Sequence, residues 1–212
     1  MKKLFYIHRQ TFWKSNEECS SPDVSFVPPM QRRRLSEIEK ISLFLANSAV
    51  GNETDYRSVF ASDYGEWKQT IQLIQQFFEE KSLSPAKFSI SVHNASAGLF
   101  SLIKKNDQSY TCIAANERTI ENGLLECFIS KKPCLFVFSE ETTPDFYKPV
   151  FKNPFIGHGV SFFLSEEELD FPIEIEFKHS KQNPLSFDEL LDFIQMKKNA
   201  IQSSCFILRQ CK

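Results

Sequence analysis

Thiols, imidazoles and one run of guanidinium groups are the side chains in this sequence that could carry chemistry. The six cysteines are Cys19, Cys112, Cys127, Cys134, Cys205 and Cys211. No two of them form a Cys-x-x-Cys pair, and none stands at metal-ligand spacing from a histidine. No metal site follows from the pattern, and reduced core thiols are the expectation. The histidines are His8, His93, His158 and His179. Gly157-His158-Gly159 has a catalytic look but reads as a turn histidine between glycines. Arg32-Arg33-Arg34 is a dense positive cluster. It reads either as a solvated basic turn or as a grip for an anionic group, since guanidinium binds carboxylate and phosphate in bidentate fashion. Glu140-Glu141 and Glu166-Glu167-Glu168 read as exposed acidic turns, and Glu121 and Glu126 as the exposed face of a helix. There is no Gly-rich phosphate loop and no Gly-x-Ser-x-Gly elbow. No cofactor and no metal are expected.

The elements that must position these groups follow from periodicity. Leu4 to Phe12 reads as a first strand, and Ser15 to Gln31 as a long surface loop. Leu35, Ile38, Ile41, Leu45 and Ala49 share one helical face, and Gly51-Asn52 ends that helix. Tyr56 to Ser62 predicts a strand. Trp67, Ile71, Ile74 and Phe78 mark a second amphipathic helix, broken at Leu83-Ser84-Pro85. Phe88 to Val92 is ambiguous. Asn94 to Lys104 is rich in small residues, which allow close backbone packing or close approach of a ligand. Ser109 to Ala115 predicts a buried strand. A helix with Ile120, Leu124 and Phe128 on one face follows it. Cys134 to Phe138 is continuously apolar, as a central strand covered on both faces would be. Val160 to Leu164 predicts a further strand. Phe171 to Phe177 alternates apolar and polar, the pattern of a half-exposed antiparallel strand at an edge. Phe187 to Ile201 suggests a last helix, and Ser204 to Leu208 a last strand. Alternating strands and helices argue for an α/β sheet.

Composition narrows the function classes. The formal net charge is −2, which does not suit a nucleic-acid binder or a ligand of anionic membranes. No apolar run approaches the roughly 20 residues a spanning helix needs, and the N-terminal apolar run is too short for a signal peptide. A cytoplasmic protein is expected. The chain holds 22 phenylalanines against 6 glycines. That density of rings suggests a large core, a large partner interface, or both. A single domain spanning 1–212 is expected, with a core at about 28–150 and a C-terminal extension at 151–212.

The segment from Val59 to Ser130 resembles the N-terminal half of a β-ketoacyl synthase. The resemblance rests on Val59-Phe60-Ala61-Ser62-Asp63-Tyr64-Gly65-Glu66, on Leu83-Ser84-Pro85, and on Phe88 through Ser101, with its Ser91-Val92-His93-Asn94-Ala95-Ser96-Ala97-Gly98. Upstream, Pro29-Met30-Gln31-Arg32-Arg33-Arg34-Leu35-Ser36 fits a subfamily of short ketosynthase-like proteins. Several of these are found with type II fatty-acid-like and aryl polyene pathways. The resemblance implies one half of a thiolase-like fold, α/β with a five-stranded mixed sheet and helices on both faces.

A ketosynthase of this kind carries its cysteine at the turn between a strand and a helix, where the helix N-terminus activates the thiol. The corresponding strand here is Ser109 to Ala115, with the helix beginning near Thr119. The resemblance then sets Asn116 at the cysteine position, with Glu117 as the other candidate and Arg118 beside them. Neither an amide nor a carboxylate forms the thioester. The two histidines, or histidine and asparagine, of the C-terminal half are also missing.

The resemblance therefore implies a non-catalytic, chain-length-factor-like subunit that pairs with a full-length ketosynthase. Pairing would run through Ser109, Tyr110, Thr111, Cys112, Ile113, Ala114 and Ala115. His93, Asn94, Ala95, Ala97 and Gly98 are candidates for lining the acyl pocket, and Asn94 also reads as a helix N-cap. Arg32, Arg33 and Arg34 are candidates for docking an acidic acyl carrier protein. Two rivals stay open. One is an acyl-transfer or thioesterase enzyme using Cys112 or the Glu117 carboxylate. The other is a generic α/β binding module that shares only the fold.

Overall fold

The computed structural model describes residues 2–16, 19, 21–130, 132–168 and 171–211. Residues 17, 18 and 20 of the expected long loop lie outside that set. The chain begins with β1 (Lys2–Lys14), followed by the single-turn α1 (Pro29–Arg32) and by α2 (Glu37–Val50). Ser36 caps α2 through a capping box: its side chain accepts from the Glu39 N–H, and the Glu39 carboxylate accepts from the Ser36 N–H. Gly51 ends the helix at φ +57°, and the Arg9 guanidinium packs where a Cβ would stand.

Next come β2 (Arg57–Ala61), α3 (Trp67–Glu80), α4 (Pro85–Ser89) and α5 (Ala95–Lys104). β3 (Tyr110–Ile113) leads through a short 3-10 turn at Asn116–Arg118 into α6 (Thr119–Ile129). β4 (Cys134–Glu140), β5 (His158–Ser165), β6 (Pro172–Phe177), α7 (Phe187–Ile194), β7 (Ala200–Gln202) and β8 (Phe206–Gln210) complete the chain. The ambiguous stretch after Pro85 is thus a short helix, and the last helix stops before Ile201, which lies in β7.

Among the described residues the strands form one sheet of eight, in the order β3-β2-β4-β5-β1-β6-β8-β7. This corrects the expected five. The four strands of residues 151–212, β5 to β8, belong to that same sheet. Only β3–β2 and β2–β4 are parallel; every other pair is antiparallel. β6 is also not an edge, since β1 and β8 flank it. Its alternation records one covered face, and Pro172 is tolerated because it opens the strand.

β4 shows why the sheet is covered twice. Cys134, Phe136 and Phe138 point into a core built with α6 and α7, whereas Leu135 and Val137 point into a second core built with α2 and α5. α2 contributes nine buried residues to its side, among them Ile41, Leu43 and Leu45. Full burial of each such side chain is worth roughly 1.5–3 kcal/mol. On the other side, Gly123 of α6 lets the helix close onto Phe136, whose ring lies 2.6 Å from where a Cβ would sit.

Candidate functional site

β3 is the open edge of the sheet. It lies parallel to β2, with Thr111 beside Val59 and Cys112 beside Phe60, and no strand among the described residues pairs its other side. The sequence suggests a buried strand here; instead Tyr110 is exposed and Thr111, Cys112 and Ile113 are half-buried. The strand is apolar because Cys112 and Ile113 each pack against one of the two cores. Arg57 on β2 fixes the edge, donating to Thr111 Oγ1 at 3.2 Å and pairing with Glu126. Ser109 accepts from the Ser58 N–H at its carbonyl, and Ala114 and Ala115 lead out of the strand.

The backbone then turns sharply. Asn116 has φ +52°, a left-handed conformation that asparagine tolerates better than most residues. The Ala115 N–H donates to Thr119 Oγ1 at 2.7 Å, so the first residue of α6 holds the turn. Glu117 and Arg118 are exposed on it. Two adjoining hollows, of about 440 and 610 Å³, open at this point. Asp63, Tyr64, Asn116 and Glu117 border both; Phe138, Phe155, His158 and Phe187 wall the first.

His158 therefore has a setting that the Gly-His-Gly pattern does not disclose. It opens β5, its Nδ1 lies 2.7 Å from the Ile156 carbonyl, and its ring stands 4.4 Å from Phe187 and edge-on to Phe155. Burial lowers its pKa, so the ring is neutral at physiological pH.

Carboxyl groups crowd the loop that follows β2. Glu140 and Glu141, expected as an exposed acidic turn, are buried at the end of β4. Glu140 accepts from the Ser62 hydroxyl at 3.1 Å and from the Asp63 N–H. Burial, with the Asp63 charge next, pushes Glu140 up to about 8, and burial pushes Glu141 up to about 7. Glu66 is pushed up to about 9 by burial and then by the charge of Glu39. Burial and then Glu117 raise Asp63 as well, against the hydrogen bond with Thr119. One oxygen each of Asp63, Glu66 and Glu141 is buried without a partner among the described residues. Even so, no group of three or more His, Cys, Asp or Glu among the described residues could hold a metal ion.

Glu121 is a further correction. It is buried, not exposed, and accepts from the Ser204 N–H at 2.9 Å, the Ser204 hydroxyl at 2.8 Å and the Leu185 N–H at 3.2 Å. It ties α6 to the C-terminal segment. Its spacing of three from Leu124 and seven from Phe128 was a readable sign that it shares their apolar face.

The other expected residues are dispersed. His93 Nε2 lies 2.8 Å from the Ser62 carbonyl, and its ring blocks the space beside Gly65. With Ser96 it borders a crevice of about 10 Å³, room for about one water. Asn94 occupies the N-cap position of α5 but makes no side-chain cap bond, so that expectation is corrected. Ala95 begins the helix, Ala97 is buried in the α2 and α5 core, and Gly98 faces the Tyr110 hydroxyl. Arg32 ends α1, while Arg33 and Arg34 are exposed; Arg34 borders a groove beside α3 and α4, with no share in the hollows at Asn116. All six cysteines are free; Cys19 is exposed and is not a core thiol. Burial pushes the Cys112 thiol up to about 11.

Among solved structures, a ketosynthase (ApeO) in complex with its chain length factor (ApeC) from Xenorhabdus doucetiae is similar over 87% of this chain and 82% of that one, at 23% identity and a TM-score of 0.72. The ishigamide ketosynthase/chain length factor is similar over 76% of this chain and 54% of its own, at 13% identity and a TM-score of 0.59. A β-ketoacyl synthase from Burkholderia phymatum STM815 follows at 12% identity and a TM-score of 0.50, over 66% of this chain and 44% of that one. These likenesses define a mixed α/β protein with the thiolase-like fold of the ketosynthases. The family model for the β-ketoacyl synthase N-terminal domain matches residues 8–207, and the chain belongs to that family. The match runs well past residue 150, in keeping with the single continuous sheet. No curated protein matches the sequence. Among the described residues, no helix is long and apolar enough to cross a membrane.

Proposed function

We propose that this chain is a non-catalytic, chain-length-factor-like subunit that pairs with a full-length β-ketoacyl-acyl carrier protein synthase. The observation that carries the reading is the turn after β3: a left-handed residue at the mouth of two hollows and the start of a helix, occupied by Asn116. By resemblance that is the place of the ketosynthase cysteine, and an amide there forms no thioester. The open β3 edge beside it supports pairing, since an unblunted edge strand is a template for another chain. In this reading the partner supplies the cysteine and the histidines. This subunit stabilises it in the cytoplasm and shapes the acyl pocket during elongation of a polyene or polyketide chain held on an acyl carrier protein.

The rival enzyme acting through Cys112 is disfavoured. A half-buried thiol with a pKa of about 11 holds almost no thiolate at neutral pH. The decisive experiment is co-expression with the full-length ketosynthase encoded nearest to it, followed by size-exclusion chromatography with mass determination. The expected result is a one-to-one complex. A stable lone monomer that ignores the ketosynthase overturns the reading.

A further inference from the structure

α3 and α4 form an arm much of whose apolar surface is left uncovered by the described residues. Only Trp67 and Leu73 of α3 are buried, and no residue of α4 is. Trp67 anchors the root, stacked between Tyr147 at 5.5 Å and Phe155 at 6.0 Å, and Lys68 pairs with Glu37 beside it. Beyond that root the apolar side chains point outward: Ile74 is 51% exposed, Phe77 46%, Phe78 67%, Leu83 41% and Phe88 55%. Lys87 of α4 donates to Gln76 of α3 at 3.3 Å, so the two helices hold one shape.

We propose that this arm is a second grip on the same full-length ketosynthase that pairs with β3; the inference rests on the proposed function. Area is the first argument. β3 has four residues and is roughly 13 Å long. A stable interface covers about 800 Å² on each partner, more than so short an edge supplies. A fully exposed aromatic side chain offers roughly 200 Å², so Phe77, Phe78 and Phe88 together add on the order of 300 Å². Position is the second argument. The chain leaving α4 is tied by His93 to the Ser62 carbonyl, and the Ser62 N–H donates at 3.1 Å to the Ile113 carbonyl, so the arm departs from the end of β3 itself. Charge is the third. Residues 67–90 carry three lysines and two glutamates, a nearly neutral surface. It suits a lasting apolar interface and gives no basic field for an acidic carrier protein.

The test compares three versions of the full chain against the ketosynthase encoded nearest to it: the natural sequence, Phe77→Ser with Phe78→Ser, and Thr111→Lys. Both phenylalanines are exposed, so the double variant should melt within about 2 °C of the natural chain; Phe88→Ser serves if it does not. The expected result is at least a tenfold rise in Kd for the arm variant, with slowed amide exchange over residues 67–90 in the natural complex. Unchanged affinity in the arm variant, with Thr111→Lys still disrupting the complex, overturns the arm and leaves the proposed function standing. Loss of self-association in the arm variant without loss of ketosynthase affinity assigns the face to a second copy and overturns the arm as well. No binding by the natural chain overturns the proposed function itself.

Discussion

α2 and α3 are both fourteen residues long and both amphipathic, yet nine residues of α2 are buried against two of α3. α2 lies across the centre of the sheet and its stripe is covered by β4 and β5. α3 starts at the sheet's end and leaves it. Local pattern decides that a helix has an apolar side; only the rest of the molecule, or another molecule, decides what covers it. The two helices meet at one joint, where the Ser36 hydroxyl of the α2 cap donates to Glu66, the N-cap residue of α3, at 2.8 Å.

Four measurements break or sharpen this contrast. Leu45→Ala removes a fully buried side chain of α2 that packs on the close approach at Gly159. It should cost about 2–5 kcal/mol, read as a thermal-melt loss of roughly 5–15 °C. A loss below about 2 °C would mean that α2 is not the better covered helix.

The second tests the joint by pH. Burial lifts Glu66 from the ordinary 4.5 to about 9, so between those values the folded chain holds a proton that the unfolded chain has lost. This contribution to stability is complete below pH 4.5 and drains away as pH rises towards 9. Glu66→Gln keeps the shape without the titration. Its stability relative to the natural chain should grow by on the order of 4 kcal/mol from pH 5 to pH 8. A gap that does not change with pH refutes the assignment.

Third, Ser36→Ala deletes the α2 cap and the Glu66 contact together, for about 1 kcal/mol by denaturant titration. Fourth, Phe78→Ser should change the stability of the isolated chain by less than about 0.5 kcal/mol, because the ring is already in water. A larger loss would show that α3 is covered within the chain after all.

Much of the fold was legible. The α2 stripe, the unbroken apolar run of β4 and the face of α6 were sufficient, because each is covered by its own chain and writes the full period into the residues. Edges were not legible. β3 looks buried because its side chains pack inward while its backbone edge stays open, and β6 looks like an edge because one of its faces is wet. Pairing lies in the hydrogen-bond direction, and side-chain alternation reports the perpendicular one. The buried acids divide in the same way. Glu121 could have been placed by helical spacing, and Glu140 by the two-residue alternation that sets it on the strand face of Phe136 and Phe138. The rings gathered around His158 depend on the β4–β5 connection folding back to bring Phe155 there, which no local pattern encodes.

β1 lies between β5 and β6, and its partners begin at His158 and reach Glu176. β1 therefore waits, unpaired, until the segment from His158 onward has been synthesised. For that interval Leu4, Phe5, Ile7, Phe12 and Trp13 lack the neighbouring strands that flank them in the fold. Sequence-distant pairing of this kind is slow and exposed to misassociation. The demand this fold places on its own synthesis is one of timing: the sheet cannot be sealed from β1 until β5 and β6 exist.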